Sequence, residues 1–181
     1  MVTTTTLLTF AEFEQMPDEP AKLELLEGEL IRMPPSKKKH MHTAERLYQA
    51  LLRAVEGLRG LRPNLTLGEV HIEMGYLMGT DPGTWLVPDV SITHTGQNGG
   101  DYYEGASLIA VEVASELQSA PYLEAKAQTY LSRGGQEVWL IYPKTQHVWI
   151  CRAGSSTIER QEYAIRSELL PGVELRFEEI F

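Results

Sequence analysis

The stretch Leu108-Ile109-Ala110-Val111-Glu112-Val113-Ala114-Ser115 decides the fold, because it has the composition of a buried strand interrupted by one charge. Side chains alternate between the two faces of a strand, so Glu112 shares its face with Ala110 and Ala114. A lone buried charge is costly unless it is paired, protonated or bound to a metal. The small neighbours leave room for an ion and its waters. For this stretch alone, a strand-end glutamate paired with an arginine is an equally good interpretation.

A second carboxylate interrupts another apolar run. Asp89 follows a proline in Val87-Pro88-Asp89-Val90, within residues 86–92, which the composition predicts to be a second buried strand. Ligands in α/β proteins gather at strand ends. We therefore expect Asp89 and Glu112 to lie close together at one edge of a sheet.

Lys126 lies fourteen residues after Glu112, on a predicted helix from Tyr122 to Arg133. It comes one turn before Tyr130, so the two side chains can point the same way. Taken alone, Lys126 is better explained as a solvated helix residue. Together with two carboxylates, however, an ammonium completes the smallest set of functional groups that Mg²⁺-assisted phosphodiester hydrolysis requires. We expect partial desolvation to lower the pKa of Lys126, so that it orients or deprotonates the attacking water.

The composition predicts one cytoplasmic domain over residues 1–181. The chain has 43% hydrophobic residues, and none of its apolar runs approaches the roughly 20 residues that a membrane span needs. Its N-terminus lacks the pattern of a secretory signal, and Cys151 is its only cysteine.

Charge argues against a nucleic-acid partner. The net charge of −9 opposes phosphate backbones. One cluster, Lys37-Lys38-Lys39-His40, has the opposite sign, although a lysine run is more often a solvated loop. A carboxylate metal site also inflates negative charge until its cations bind.

The remaining segments predict a mixed α/β fold with antiparallel hairpins at its margins. Thr9 can cap a short helix, and Glu27-Gly28 forms a two-residue turn between strands 23–26 and 29–31. Residues 41–58 carry the apolar stripe of an amphipathic helix. Strands are predicted at 70–74, 137–142, 147–151 and 157–163, with glycine-rich loops between several elements.

The chain resembles the Uma-type family of restriction-endonuclease-like proteins, within the PD-(D/E)XK nuclease superfamily. In this variant of the nuclease core, the lysine has moved from the strand onto the next helix. The matching stretches extend over nearly the whole chain: Leu8-Thr9-Phe10, Glu24-Leu25-Leu26-Glu27-Gly28-Glu29, His40, Val87-Pro88-Asp89-Val90-Ser91, Glu112-Val113-Ala114-Ser115, Lys126 with Tyr130, Gly134, Glu137 with Trp139, and Leu170-Pro171-Gly172.

The resemblance implies a helix-flanked mixed sheet and a DNA endonuclease. We expect a homodimer if duplex DNA is cut on both strands, because a two-fold assembly presents two sites to antiparallel backbones. The resemblance implies a divalent ion, Mg²⁺ or its surrogate Mn²⁺, held by Asp89, Glu112 and the backbone carbonyl of Val113. It also implies a catalytic role for Lys126 and suggests that Glu24 completes the site. His40 matches the family's histidine before the first long helix and could face the same cleft.

The chain departs from the family pattern at three places. Residues 116–119 replace a small, proline-containing segment, Tyr122 replaces an acidic residue for which Glu124 is a candidate substitute, and Tyr142 replaces an aspartate. These departures leave two functions open: a Mg²⁺-dependent DNA endonuclease, or a non-catalytic accessory or binding module that keeps the nuclease fold.

Overall fold

A computed structural model describes residues 7–62, 65–115 and 118–181. Its helices are α1 (Phe10–Glu14), α2 (Lys38–Leu61), α3 (Ala120–Ser132) and α4 (Phe177–Ile180). Its strands are β1 (Lys22–Leu26), β2 (Glu29–Met33), β3 (Leu67–Ile72), β4 (Tyr76–Thr80), β5 (Gly83–Leu86), β6 (Val90–His94), β7 (Tyr103–Glu104), β8 (Ile109–Val113), β9 (Glu137–Tyr142), β10 (His147–Arg152), β11 (Ile158–Gln161), β12 (Ala164–Ile165) and β13 (Leu175–Arg176).

The main sheet has six strands in the order β11-β10-β9-β8-β6-β3. Its two central strands, β8 and β9, are parallel, and α3 connects them. The strands outside this pair run antiparallel to their neighbours, including the β9–β10 hairpin. The predicted fold class, a mixed sheet flanked by helices with antiparallel hairpins at its margins, is confirmed.

Alternation along β8 separates the two faces of this sheet. Ile109, Val111 and Val113 pack in the core that α2 covers. Ala110 points to the opposite face, into a second core to which α3 contributes Leu123, Ala127 and Tyr130. Glu112 alternates with Val111 and Val113 and contacts Lys126 and Tyr130 of α3. The main sheet thus places this carboxylate under α3.

A second sheet of five strands, in the order β2-β1-β5-β4-β7, brings the N-terminal hairpin to the same region. Its β1–β2 pair carries the predicted turn at Glu27-Gly28, where both residues have positive φ angles of 48° and 85°. The capping box that Thr9 forms with Glu12 begins α1, as expected. The sheet positions Glu24 of β1.

Asp89 does not lie within a strand, so this prediction is wrong. The run 86–92 divides into β5, in the second sheet, and β6, in the main sheet, and residues 87–89 connect them. Proline lacks an N–H group for a strand ladder, which favours a break at Pro88. Asp89 therefore stands just before β6, at the point where the chain passes between the sheets.

Other boundaries also differ from the predictions. Helix α2 begins at Lys38, so the lysine run is not a loop, and His40 lies in the first turn of the helix rather than before it. Strand β3 begins three residues earlier than expected. The sequence prediction omitted β4, which contains Gly79 and has weak strand propensity. In the described part of the chain, no helix is long and apolar enough to cross a membrane.

Candidate active site

The three charged residues that the sequence singled out border one cavity of about 510 Å³. Asp89, Glu112 and Lys126 are 5%, 2% and 1% exposed, so they form its floor rather than its rim. Other charged or titratable residues that line the cavity are Glu73, Lys22, Lys37, Lys39, His40 and Lys144. The convergence of segments far apart in sequence makes this cavity the candidate active site.

Lys126 lies between two buried carboxylates. Its Nζ is 2.7 Å from Glu112 Oε1 and 2.9 Å from Glu24 Oε1. Glu24 is fully buried, so it is not an ordinary exposed hairpin glutamate. The N-terminal hairpin therefore supplies a buried carboxylate that contacts Lys126.

Two tyrosines of α3 complete this cluster. The Tyr130 hydroxyl donates to Glu112 Oε1 at 2.9 Å, which agrees with the expectation that it points the same way as Lys126. The Tyr122 hydroxyl donates to Glu24 Oε2 at 2.6 Å. Tyr122 precedes Lys126 by four residues, and this helical spacing is the signal that could have identified it.

We expect a Tyr122→Phe substitution to lower the free energy of unfolding by about 1–3 kcal/mol, because it removes a hydrogen bond to a buried carboxylate. Urea denaturation followed by circular dichroism measures the change. Tyr163 is 83% exposed, so Tyr163→Phe is the matched control, with an expected change within about 0.5 kcal/mol. Equal stability of the two variants would contradict the assigned role of Tyr122.

Asp89 is held from three directions. Its Oδ2 accepts the backbone N–H of Val113 at 2.7 Å and lies 3.2 Å from His40 Nε2. Its Oδ1 lies 3.5 Å from Lys22 Nζ, which is also 3.8 Å from Glu73 Oε1. His40 thus faces the cleft, as the resemblance suggested.

The sequence interpretation missed Lys22. It stands two residues before Glu24 on β1, and strand alternation places the two side chains on the same face. Once Glu24 is assigned to the cleft, this period-two spacing indicates Lys22 as well.

The pKa values of the two candidate metal ligands shift in opposite directions. Burial, together with the neighbouring carboxylates of Glu24 and Asp89, raises the pKa of Glu112 to about 7, although Lys126 opposes the shift. Burial also disfavours the ionised form of Asp89, but the hydrogen bond from His40 and the charge of Lys22 outweigh it and lower the pKa. Asp89 is therefore the more reliably ionised ligand near neutral pH.

The expected lowering of the pKa of Lys126 is wrong. Burial alone would lower this pKa, but the carboxylates of Glu112 and Glu24 outweigh burial and raise it above its usual value. Lys126 is held as a cation, which can orient a water molecule or stabilise negative charge but does not accept a proton readily.

The donor set suits a hard divalent cation bound through few protein ligands. Asp89 and Glu112 supply carboxylate oxygens at the floor of one cavity. Two unsatisfied polar atoms, His40 Nδ1 and Ser115 Oγ, are buried beside them without a hydrogen-bond partner among the described residues. Within the same residues, no group of three or more His, Cys, Asp and Glu side chains could hold a metal ion. Mg²⁺ commonly uses one or two carboxylates with waters and substrate phosphate, so two carboxylates are compatible with it.

The residues that differ from the family pattern lie at different positions relative to the site. Tyr122 enters the site through Glu24, whereas Glu124, its suggested substitute, is exposed. Gln118 borders the cavity and accepts the backbone N–H of Ser115 at 2.8 Å. Residues 116 and 117, where the chain also departs from the pattern, lie outside the described residues.

Comparison with known proteins agrees with this architecture. Residues 10–178 match the Uma2 family, which is described as "Putative restriction endonuclease". One similar solved structure is described as the crystal structure of a "putative nuclease belonging to DUF820" from Anabaena variabilis ATCC 29413. Its sequence is 19% identical to this one, and the two structures superpose with a TM-score of 0.78 over 96% of this chain and 97% of that chain. At so low a sequence identity, this similarity shows the fold alone. No curated protein matched the chain. Because the family match covers nearly the whole sequence, the chain belongs to the Uma2 family of restriction-endonuclease-like proteins.

Proposed function

We propose that this protein is a Mg²⁺-dependent endonuclease that hydrolyses DNA phosphodiester bonds. The observation that carries the proposal is the convergence of Asp89, Glu112 and Lys126 on the floor of one cavity. Membership of the Uma2 family supports nuclease chemistry. Restriction-endonuclease-like nucleases usually need divalent metal ions, and the two carboxylates suit such an ion.

Each residue has a distinct proposed role. Asp89 and Glu112 hold the ion, with the backbone carbonyl of Val113 as a third oxygen ligand. When bound, the ion would polarise the scissile phosphate and activate water. Lys126 assists the attacking water by orienting it and stabilises the negative charge that develops on the phosphate. Glu24 and Tyr130 position this chemistry, since Glu24 holds Lys126 and Tyr130 holds Glu112.

The cavity mouth supports a DNA substrate despite the net charge of −9. Lys37, Lys39 and Lys144 line the cavity and are exposed, so positive charge is concentrated where a phosphate backbone would approach. Local charge around the site, rather than net charge, then governs the encounter with the substrate.

The direct test is cleavage with and without metal. Circular single-stranded DNA and supercoiled duplex DNA are incubated with the protein in Mg²⁺, and parallel reactions contain excess EDTA. We expect nicked or linear products from at least one substrate in Mg²⁺ and none in EDTA, because the ion supplies several kcal/mol of transition-state stabilisation. Cleavage that persists in EDTA would contradict the proposed metal dependence.

A non-catalytic binding module is the second candidate function. The contact between Lys126 Nζ and Glu112 Oε1 favours it, because an ammonium already neutralises a carboxylate that a metal would need. This alternative predicts that DNA stays intact in both Mg²⁺ and EDTA, while the protein remains folded.

We propose further that residues 1–181 form a single domain and that the protein acts as a homodimer. If both strands of a DNA are cut, a two-fold assembly would present two sites to their antiparallel backbones. Sedimentation velocity distinguishes a dimer from a 20.4 kDa monomer. The cytoplasmic location remains a prediction from the sequence.

A further inference from the structure

The depth of the candidate site restricts the form of nucleic acid that can reach it. Asp89 and Glu112 are at most 5% exposed, so a scissile phosphate has to enter the cavity to approach an ion bound there. A sphere of 510 Å³ is about 10 Å across, whereas the two grooves of B-form DNA, about 8.5 and 7.5 Å deep from opposite sides, make the duplex at least about 16 Å thick. A continuous duplex is therefore too wide to enter, whereas one strand is narrow enough.

The wall of the cavity suits an unstacked nucleotide. Pro34, Pro35 and Pro143 line it together with Met33, and these side chains offer apolar surface beside the charged floor. Such surface can cover a sugar or a base that has left the stack. In an intact duplex the bases are stacked and paired, and taking one out costs free energy that a single strand does not have to supply.

We propose that the site accepts a single DNA strand, either a single-stranded segment or an unpaired arm next to a duplex, and discriminates against continuous duplex. The proposal rests on the nuclease function proposed above and names its substrate class. The exposed lysines at the mouth of the cavity, Lys37, Lys39 and Lys144, would contact phosphates on either side of the nucleotide that enters. Such backbone contacts are typical of proteins that bind single strands.

Cleavage tests the proposal with three substrates of one sequence: an oligonucleotide of about 30 nucleotides, its blunt duplex, and a duplex with an unpaired arm. In Mg²⁺ we expect the single strand and the unpaired arm to be cut at least about tenfold faster than the blunt duplex. Cuts in the third substrate should fall in the arm or at its junction. A blunt duplex cut as fast as the single strand would overturn the proposal.

Binding tests the same inference without catalysis. Fluorescence anisotropy in EDTA compares the labelled single strand with the blunt duplex on the wild-type protein. If the single strand binds at least about tenfold more tightly than the duplex, the proposal is supported, even if none of the DNAs is cut. The absence of cleavage would count only against the nuclease function. Equal affinities, tighter duplex binding, or no binding of either DNA would overturn it.

Two neighbouring lysines provide a matched pair of variants. Lys38 and Lys39 are both exposed in the first turn of α2, but only Lys39 lines the cavity. We expect Lys39→Ala to weaken single-strand binding about fivefold and to reduce its salt dependence by about 0.7 in log–log slope, the value for one phosphate contact. Lys38→Ala should stay within about twofold of wild type. Equal effects of the two substitutions would count against entry through this mouth.

Discussion

We expect the Lys126→Met variant to unfold with a free energy about 3–5 kcal/mol lower than that of the wild-type protein. Lys126 is 1% exposed and contacts the carboxylates of Glu112 and Glu24 at 2.7 and 2.9 Å. Methionine fills a similar volume but leaves two buried carboxylates without their cation. Breaking a buried ion pair by removing one partner is strongly destabilising for this reason. Urea denaturation in the absence of metal measures the change.

An exposed lysine provides the control for this stability measurement. Lys38 lies at the start of α2, and Lys38→Met should change the free energy of unfolding by less than about 0.5 kcal/mol. If Lys126→Met lowers the free energy of unfolding by less than about 1 kcal/mol, the ammonium is not held between the two carboxylates in solution. The arrangement of the site would then need revision.

We expect Asp89→Asn to lower metal-dependent DNA cleavage by at least about 10³-fold, which corresponds to about 4 kcal/mol of transition-state stabilisation. The substitution replaces a carboxylate that the proposed ion needs with a neutral amide of nearly the same shape. The amide oxygen can still accept the N–H of Val113, so the connection to β8 can survive. Initial rates on the preferred DNA substrate, with circular dichroism as a folding control, measure the effect.

Asp101→Asn is the matched control for Asp89→Asn. Asp101 is exposed and does not line the cavity, so its substitution removes the same charge from the protein without changing the site. We expect its cleavage rate to stay within about twofold of wild type. Equal losses in the two variants would indicate an effect of overall charge and would contradict a ligand role for Asp89.

Local patterns identified most of the chain's central elements. The alternation of Glu112 with apolar neighbours placed it on one face of β8, and the four-residue spacing of Lys126 and Tyr130 predicted that both point the same way, as their shared contact with Glu112 shows. These predictions succeeded because alternation and helical spacing depend on neighbours in the chain. The apolar stripe of α2 likewise packs on the sheet.

The errors arose where distant parts of the chain meet. No local pattern shows that the segment around Asp89 passes from one sheet to another, because that passage depends on the pairing of β5 with β1 and of β6 with β8. The pKa of Lys126 was misjudged for the same reason. A buried lysine alone has a lowered pKa, and only the fold brings Glu24, 102 residues away in the chain, within 2.9 Å of its ammonium.

Calorimetric titration of Mn²⁺ tests most directly whether Asp89 and Glu112 hold a divalent ion, as we propose. The wild-type protein and Glu112→Gln are titrated side by side, each with its fold verified by circular dichroism. We predict saturable binding of about one ion per chain to the wild type and its loss in the variant. Equal binding to both proteins, or no binding to folded wild type, would contradict a metal site at Asp89 and Glu112.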